Sequence, residues 1–400
     1  MPECIFCSTA LDAVTKPEHV LLNAFGGRLT TRKVICSECN NDFGGTIDKE
    51  FAEEASVIRN MLQMPSGKGR PAPSLNGVNA DDLKINMRGD GTMKLVEKPF
   101  TFEKLPNGDT ELRVTVSSLD EMELLIPNIA AAMKVSEDSL RQQMAGETAK
   151  KVEKRVGVIK QSLVFGGQEA IRSATKACLV LWALEVGNNE VKSACYDTAR
   201  DFVRTGGDVF NLDRVQLDSR KLENCGAIES SFGPAFNLVH VSSDSGGRVV
   251  GHFTLYNIIA FHIVLAEGRG SPDHRTSLIS NPLSPSEWSS QAACTIGITS
   301  EWLAKRDYAT EDAKVRLCGL VEHYYEMATE KEIARICSSV FHKHGFKDDD
   351  EVPLALQDQI IAEINKRVAL HLMSQSFEEE VSLEALGQQR VDEDGDADLS

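Results

Sequence analysis

Cys4-x-x-Cys7 and Cys36-x-x-Cys39 set four thiols in two pairs of identical spacing at the start of this chain. A tight turn across each pair points both sulfurs the same way, and four thiolates saturate one tetrahedral ion, most often zinc. A segment of about 60 residues buries too little apolar surface to fold well unaided, so the metal substitutes for a core. The spacing therefore predicts a module over residues 1–63 with a structural zinc held by Cys4, Cys7, Cys36 and Cys39. The remaining six cysteines are scattered and read as small buried hydrophobes.

The chain has 400 residues, 42% of them apolar and 26% charged, enough for two or three folded domains. Its formal net charge of -17 excludes a diffuse polycation. Nucleic-acid binding would need a local basic patch or a metal acting against the overall field. Two basic groups stand out: Arg28, Arg32 and Lys33 near the cysteines, and Lys150, Lys151, Lys154, Arg155 and Lys160 further on. The second group reads as a solvated helix face or as a nucleic-acid contact. The longest apolar run, Ile258 to Leu265, is broken by His262 and falls short of a bilayer span. With no leader pattern at Met1 to Cys7, a cytoplasmic protein without a membrane segment is expected.

Along the chain a helix is expected from Thr46–Asp48 to Leu62, capped by Thr46 or Asp48. Residues 64–82, rich in Gly and Pro, read as a loop and linker. An α+β domain over 83–284 follows. Strands are expected at Leu83–Met87, Met93–Val96 and Glu111–Val116, and helices across 117–160. Gln168 to Val186 predicts a buried helix ended by Gly187. Asp244-Ser245-Gly246-Gly247 predicts a hairpin turn, across which His240 and His252 should face each other. Cross-strand packing is the favoured reading of that pair and a second metal site the alternative. Ile258 to Leu265 is a strand or a buried helix. Residues 285–388 read as helical, with Thr329-Glu330-Lys331-Glu332 as a capping box opening one helix, and 389–400 as an acidic, disordered tail. The fold class is thus α+β: a small zinc module, a mixed α/β middle domain and a helical C-terminal region.

Between and after the cysteine pairs stand residues that a plain zinc ribbon does not need: "PEHVLLNAFGG" and "VICSECNNDFGGTID". With "CIFC", they make the order C-x-x-C, acid-His, Gly-Gly, C-x-x-C-Asn. Over about residues 4–50 this resembles the four-cysteine branch of the HNH endonuclease superfamily. The resemblance implies a ββα-metal finger, with a hairpin carrying Glu18-His19 and a helix carrying Asn40. It implies His19 as general base, and Glu18 and Asn40 as oxygen ligands of a catalytic Mg²⁺ or Mn²⁺, with Asn41 the alternative to Asn40. Asn23 or Thr31 would orient the His19 ring. The family often has Asp or His where Glu18 stands. Arg28, Arg32 and Lys33 are placed to meet phosphates. The implied activity is hydrolysis of DNA phosphodiesters, with a homodimer or an operon partner protein, in a defence or mobile-element setting. The competing reading is a zinc-finger protein that binds nucleic acid without cutting it.

Overall fold

The computed structural model describes residues 2–81, 83–96, 98–104, 106, 110–116, 119–144, 159, 163, 165–207, 210, 213–291, 296–305, 307–347 and 350–375. The chain is mixed α/β: a four-cysteine module comes first, sheets occupy the middle, and helices lie toward the C-terminus. Residues 1–321 and 322–400 are two compact units.

The first module opens with the antiparallel strands β1 (Glu18–His19) and β2 (Thr30–Thr31). Helices α1 (Ser37–Gly45), α2 (Ile47–Glu54) and α3 (Ser56–Met61) follow. Helix therefore starts nine residues before the expected Thr46, within the second cysteine pair. α1 is the Asn40-bearing helix that the resemblance implies; periodicity alone misses it because its two asparagines and two glycines are poor helix formers and its apolar stripe is thin. A cysteine does the capping instead: Cys36 Sγ accepts from the Cys39 backbone N at 3.4 Å. The cap expected at Thr46 or Asp48 is not made. Thr46 Oγ1 donates to the Asp42 carbonyl at 2.8 Å, and Asp48 points elsewhere.

Strands β3 (Leu75–Ala80), β4 (Leu83–Met87) and β5 (Met93–Leu95) form one antiparallel sheet. Hence 75–80 is strand rather than loop. Gly77 at φ +67° and a register shift between Leu75 and Val78 break the alternation by which a strand is recognised. β6 (Phe100–Lys104) and β7 (Thr110–Val114) form a hairpin; its turn residues 107–109 lie outside the described residues. Helices α4 (Leu119–Met133) and α5 (Glu137–Met144) meet the helical expectation. The basic run Lys150 to Lys160 and the tail 389–400 lie outside the described residues.

Helix α6 spans Gln168–Val186, as its apolar face predicts, with Gly187 following. Near its C-terminal end Leu184 is 40% exposed, so the buried face stops short of the last turn. Trp182 is core, and its indole N–H donates to Tyr196 Oη at 2.8 Å. After α7 (Asn188–Val191) and α8 (Asp197–Thr205) come β8 (Val215–Asp218), α9 (Cys225–Phe232), β9 (Asn237–Ser243), β10 (Val249–Leu255), β11 (Ile259–Ala266), β12 (Arg275–Ser280) and β13 (Trp288–Ser289). The sheet order is β13-β12-β9-β10-β11-β8, antiparallel throughout. The 258–265 ambiguity resolves to strand, and every residue of β9, β10 and β11 is buried.

Alternation gives this sheet two covered faces. Helix α6 lies so close to one that a Cβ on Gly251 would fall 2.7 Å from Cys178 Sγ. On the same face Phe51 of α2 packs 5.7 Å from Phe253 and 6.2 Å from Phe261, joining the first module to the sheet. The opposite face carries Leu238, Val250 and Ile279, which pack with Leu222, Ile228, Ile298 and Leu303.

Helix α10 (Ser300–Ala304) is capped by Thr299, whose Oγ1 accepts from Trp302 N at 3.1 Å. α11 (Thr310–Lys343) runs unbroken for 34 residues, so Thr329 lies inside it and opens no new helix. A capping box needs a non-helical first residue, which an uninterrupted helix does not supply. α12 (Leu354–Gln375) follows. In the second unit Glu363 accepts from Lys343 at 2.8 Å and Arg367 at 2.6 Å, and contacts His344 at 3.1 Å. Among the described residues, no helix is long and apolar enough to cross a membrane.

Candidate active site

The four thiols come together. Ile5 N donates to the Val34 carbonyl at 3.0 Å, which sets the first cysteine turn beside the second. The Sγ atoms of Cys4, Cys7, Cys36 and Cys39 all lie within 4.8 Å of one another, and those of Cys7 and Cys36 are 3.5 Å apart. Contact with Cys39 holds the Cys4 thiol down at about 4, and the Cys39 thiol is pushed up in return by Cys4 and by burial. Four sulfurs gathered this closely are the donor set of a tetrathiolate zinc site. Four soft donors with no room for a fifth fit a closed, structural ion.

The hairpin that carries Glu18 and His19 is shaped by the glycine pair. Gly26 sits at φ +87°, and a Cβ on Gly27 would lie 1.9 Å from the Leu21 carbonyl oxygen. The chain can double back there only without side chains. Register sets Glu18 opposite Thr31 and His19 opposite Thr30. Side chains alternate along a strand, so Glu18 turns inward and is buried while His19 stays half-buried.

Asn40 ties α1 to this hairpin. Its Nδ2 donates to the Pro17 carbonyl at 3.1 Å and the Lys16 carbonyl at 3.4 Å, just before β1. With the amide nitrogen so committed, its Oδ1 is the atom left to meet a cation. Asn41 is exposed, and its Oδ1 accepts from Lys16 Nζ at 2.6 Å.

Beneath the hairpin lies a residue that sequence reasoning missed. Lys176 of α6 is 1% exposed; its Nζ is 2.6 Å from Glu18 Oε1 and 2.5 Å from Asp48 Oδ2. Asp48 also accepts from Ser173 Oγ at 2.7 Å. Burial alone would lower the lysine, but Asp48 and Glu18 more than reverse this and hold it protonated. Burial pushes the Glu18 carboxyl up, while Lys176 works against that shift. One buried ammonium is thus shared between two acidic side chains of the first module. A signal was available in the sequence: a lysine amid the apolar residues of a helix that reads as buried needs a partner. Asp48 stood out only as a helix cap.

The His19 ring lies among cations. Burial first, then Lys68, Lys176 and Arg28, lower its pKa and keep it neutral near pH 7. Lys68 belongs to a loop that docks on the hairpin: Gly67 N donates to the Asn23 carbonyl at 2.7 Å, and Arg28 donates to the Gly67 carbonyl. Arg32 likewise donates to the Thr15 carbonyl. Both arginines are exposed but tied at one nitrogen to the fold; Lys33 is exposed. Neither expected orienter bonds the His19 ring. Thr31 Oγ1 accepts from Lys33 N at 3.1 Å, and Asn23 Oδ1 is buried without a hydrogen-bond partner.

Residues 4–56 match the family model described as HNH endonuclease. No curated protein and no solved structure matches the chain.

Proposed function

We propose, on the HNH endonuclease match, that the N-terminal module is a hydrolytic centre that cuts phosphodiester bonds of DNA. The single observation carrying this reading is the His19 imidazole, kept neutral and half-buried beside Arg28 and Lys68 on a hairpin pinned to the thiol cluster. A neutral imidazole can accept the proton of a water molecule as that water attacks phosphorus. Lys68, Arg28, Arg32 and Lys33 draw the anionic backbone to the rim. Glu18 and Asn40 would hold a Mg²⁺ or Mn²⁺ ion, which when bound supplies charge stabilisation to the phosphate and its leaving oxygen. Asn40 is favoured over Asn41 because the Asn41 oxygen is already spent on Lys16. Lys176 holds Glu18 in place from below and so acts as a positioning residue. The four cysteines hold zinc and keep hairpin and helix together. One such centre cuts one strand at a time, so a second copy or a partner protein would complete a double-strand break.

Supercoiled plasmid incubated with the full chain tests this. Nicking that requires Mg²⁺ or Mn²⁺ and stops with EDTA supports the enzyme. An intact plasmid that is nevertheless retarded in a gel supports the non-cutting zinc-finger reading.

A further inference from the structure

A second cluster of metal-ligand side chains lies inside the large sheet, away from the thiols. Register sets Ser277, His240, His252, His262 and Gln216 opposite one another on β12, β9, β10, β11 and β8 in turn. Residues in register share a face, so this is one polar row across five strands. Its face is the one away from α6, since Gly251 faces Cys178. All three histidines are at most 1% exposed, on the face that also carries Leu238, Val250 and Ile279.

Asp218, two residues beyond Gln216 on β8, joins the row. Single ligand atoms of Asp218, His252 and His262 all lie within 4.8 Å of one another, the same closeness that the four thiols show. Packing does not explain the set. Three imidazoles and a carboxylate occupy space that aliphatic side chains would fill at lower cost. His252 Nδ1 and His240 Nε2 are buried and have no hydrogen-bond partner. A buried polar atom of this kind destabilises the fold unless something meets it.

We propose that Asp218, His252 and His262 bind a divalent cation of the zinc class. Neutral imidazole and carboxylate are the ligands this class takes. Side chains next to this set hold it in place. Next to the set, His240 Nδ1 meets Ser277 Oγ at 2.7 Å, which holds that ring in the row. Arg220 Nε lies 3.0 and 3.1 Å from the two Asp218 oxygens and its Nη2 2.6 Å from one, which fixes the carboxylate plane and leaves lone pairs over. Trp302 closes the site, edge-on to His252 at 5.0 Å with Arg220 over its ring at 3.8 Å. A sealed site with no path for a substrate is structural: the ion ties β8 to β10 and β11.

Metal analysis of the dialysed full-length protein tests this independently of nuclease activity. Two zinc-class ions per chain are expected, falling to one in His252→Asn and in His262→Gln. Cobalt-loaded wild-type protein should show thiolate charge-transfer bands together with a ligand-field spectrum from a site without sulfur. Only the second should vanish in the variants. One ion per chain in the wild type, with a purely thiolate cobalt spectrum, overturns the proposal. So do folded variants that keep two ions. If both variants fail to fold, the wild-type count and cobalt spectrum decide alone.

Discussion

Lys176 Nζ lies 2.6 Å from Glu18 Oε1, an ion pair between residues 158 positions apart and almost wholly closed to water. The pair makes the buried helix of the middle region part of the candidate active site. Removing one partner of a buried pair leaves an uncompensated charge, which typically costs about 3–5 kcal/mol. Lys176→Met should lose stability of that order in urea unfolding. Because it exposes Glu18 and Asp48 to each other, Mn²⁺ should restore more stability to the variant than it adds to the wild type. A loss below about 1 kcal/mol would show that the pair does not hold the module.

The pH dependence of cleavage follows from the cations around His19. Its pKa is lowered, by burial first and then by Lys68, Lys176 and Arg28, so the basic form persists to lower pH than for a free imidazole. The rate should rise with pH and level off, with the midpoint below the ordinary imidazole value near 6.5. Lys68→Ala removes one positive neighbour and should move that midpoint upward. A midpoint that stays put or falls contradicts this electrostatic assignment.

Zinc removal should loosen one part of the chain more than another. The thiol cluster holds the hairpin and α1, while the sheet keeps its own core. Cys36→Ser, which removes one ligand of the thiol-bound ion alone, should raise amide exchange over residues 4–45 and leave β9 to β11 protected. Uniform exchange increases along the chain would mean that the ion stabilises the whole unit rather than this module.

Phe51 is fully buried and touches Phe25 at 4.7 Å as well as Phe253 and Phe261 of the sheet. Phe51→Ala should cost about 3–5 kcal/mol by thermal or urea unfolding, because the cavity opens at a junction that three rings share. A loss under about 1 kcal/mol would mean that the module and sheet do not depend on this contact.

The parts that were legible in the sequence are those governed by local spacing. Cysteine pairs at fixed intervals, the unbroken apolar face of Gln168 to Val186 and the Asp244–Gly247 turn each carry their structure within a few residues. Other features depend on partners far along the chain. Lys176 is explained only by Glu18 and Asp48, and the face-to-face His240 and His252 become a row only when β11 adds His262. Helix α1 was hidden by glycine and asparagine, whose poor propensity the cysteine cap and the Asn40 bonds override. The long helix α11 shows the reverse error, in which a capping pattern sits inside a helix.

The account turns on His19 as the group that takes the proton from attacking water. Single-turnover cleavage of a plasmid by His19→Ala, with zinc content matched to wild type, measures that directly. The rate should fall by about 10²–10⁴, the usual worth of a general base. A variant that retains its zinc and cuts within a few-fold of the wild-type rate would contradict it.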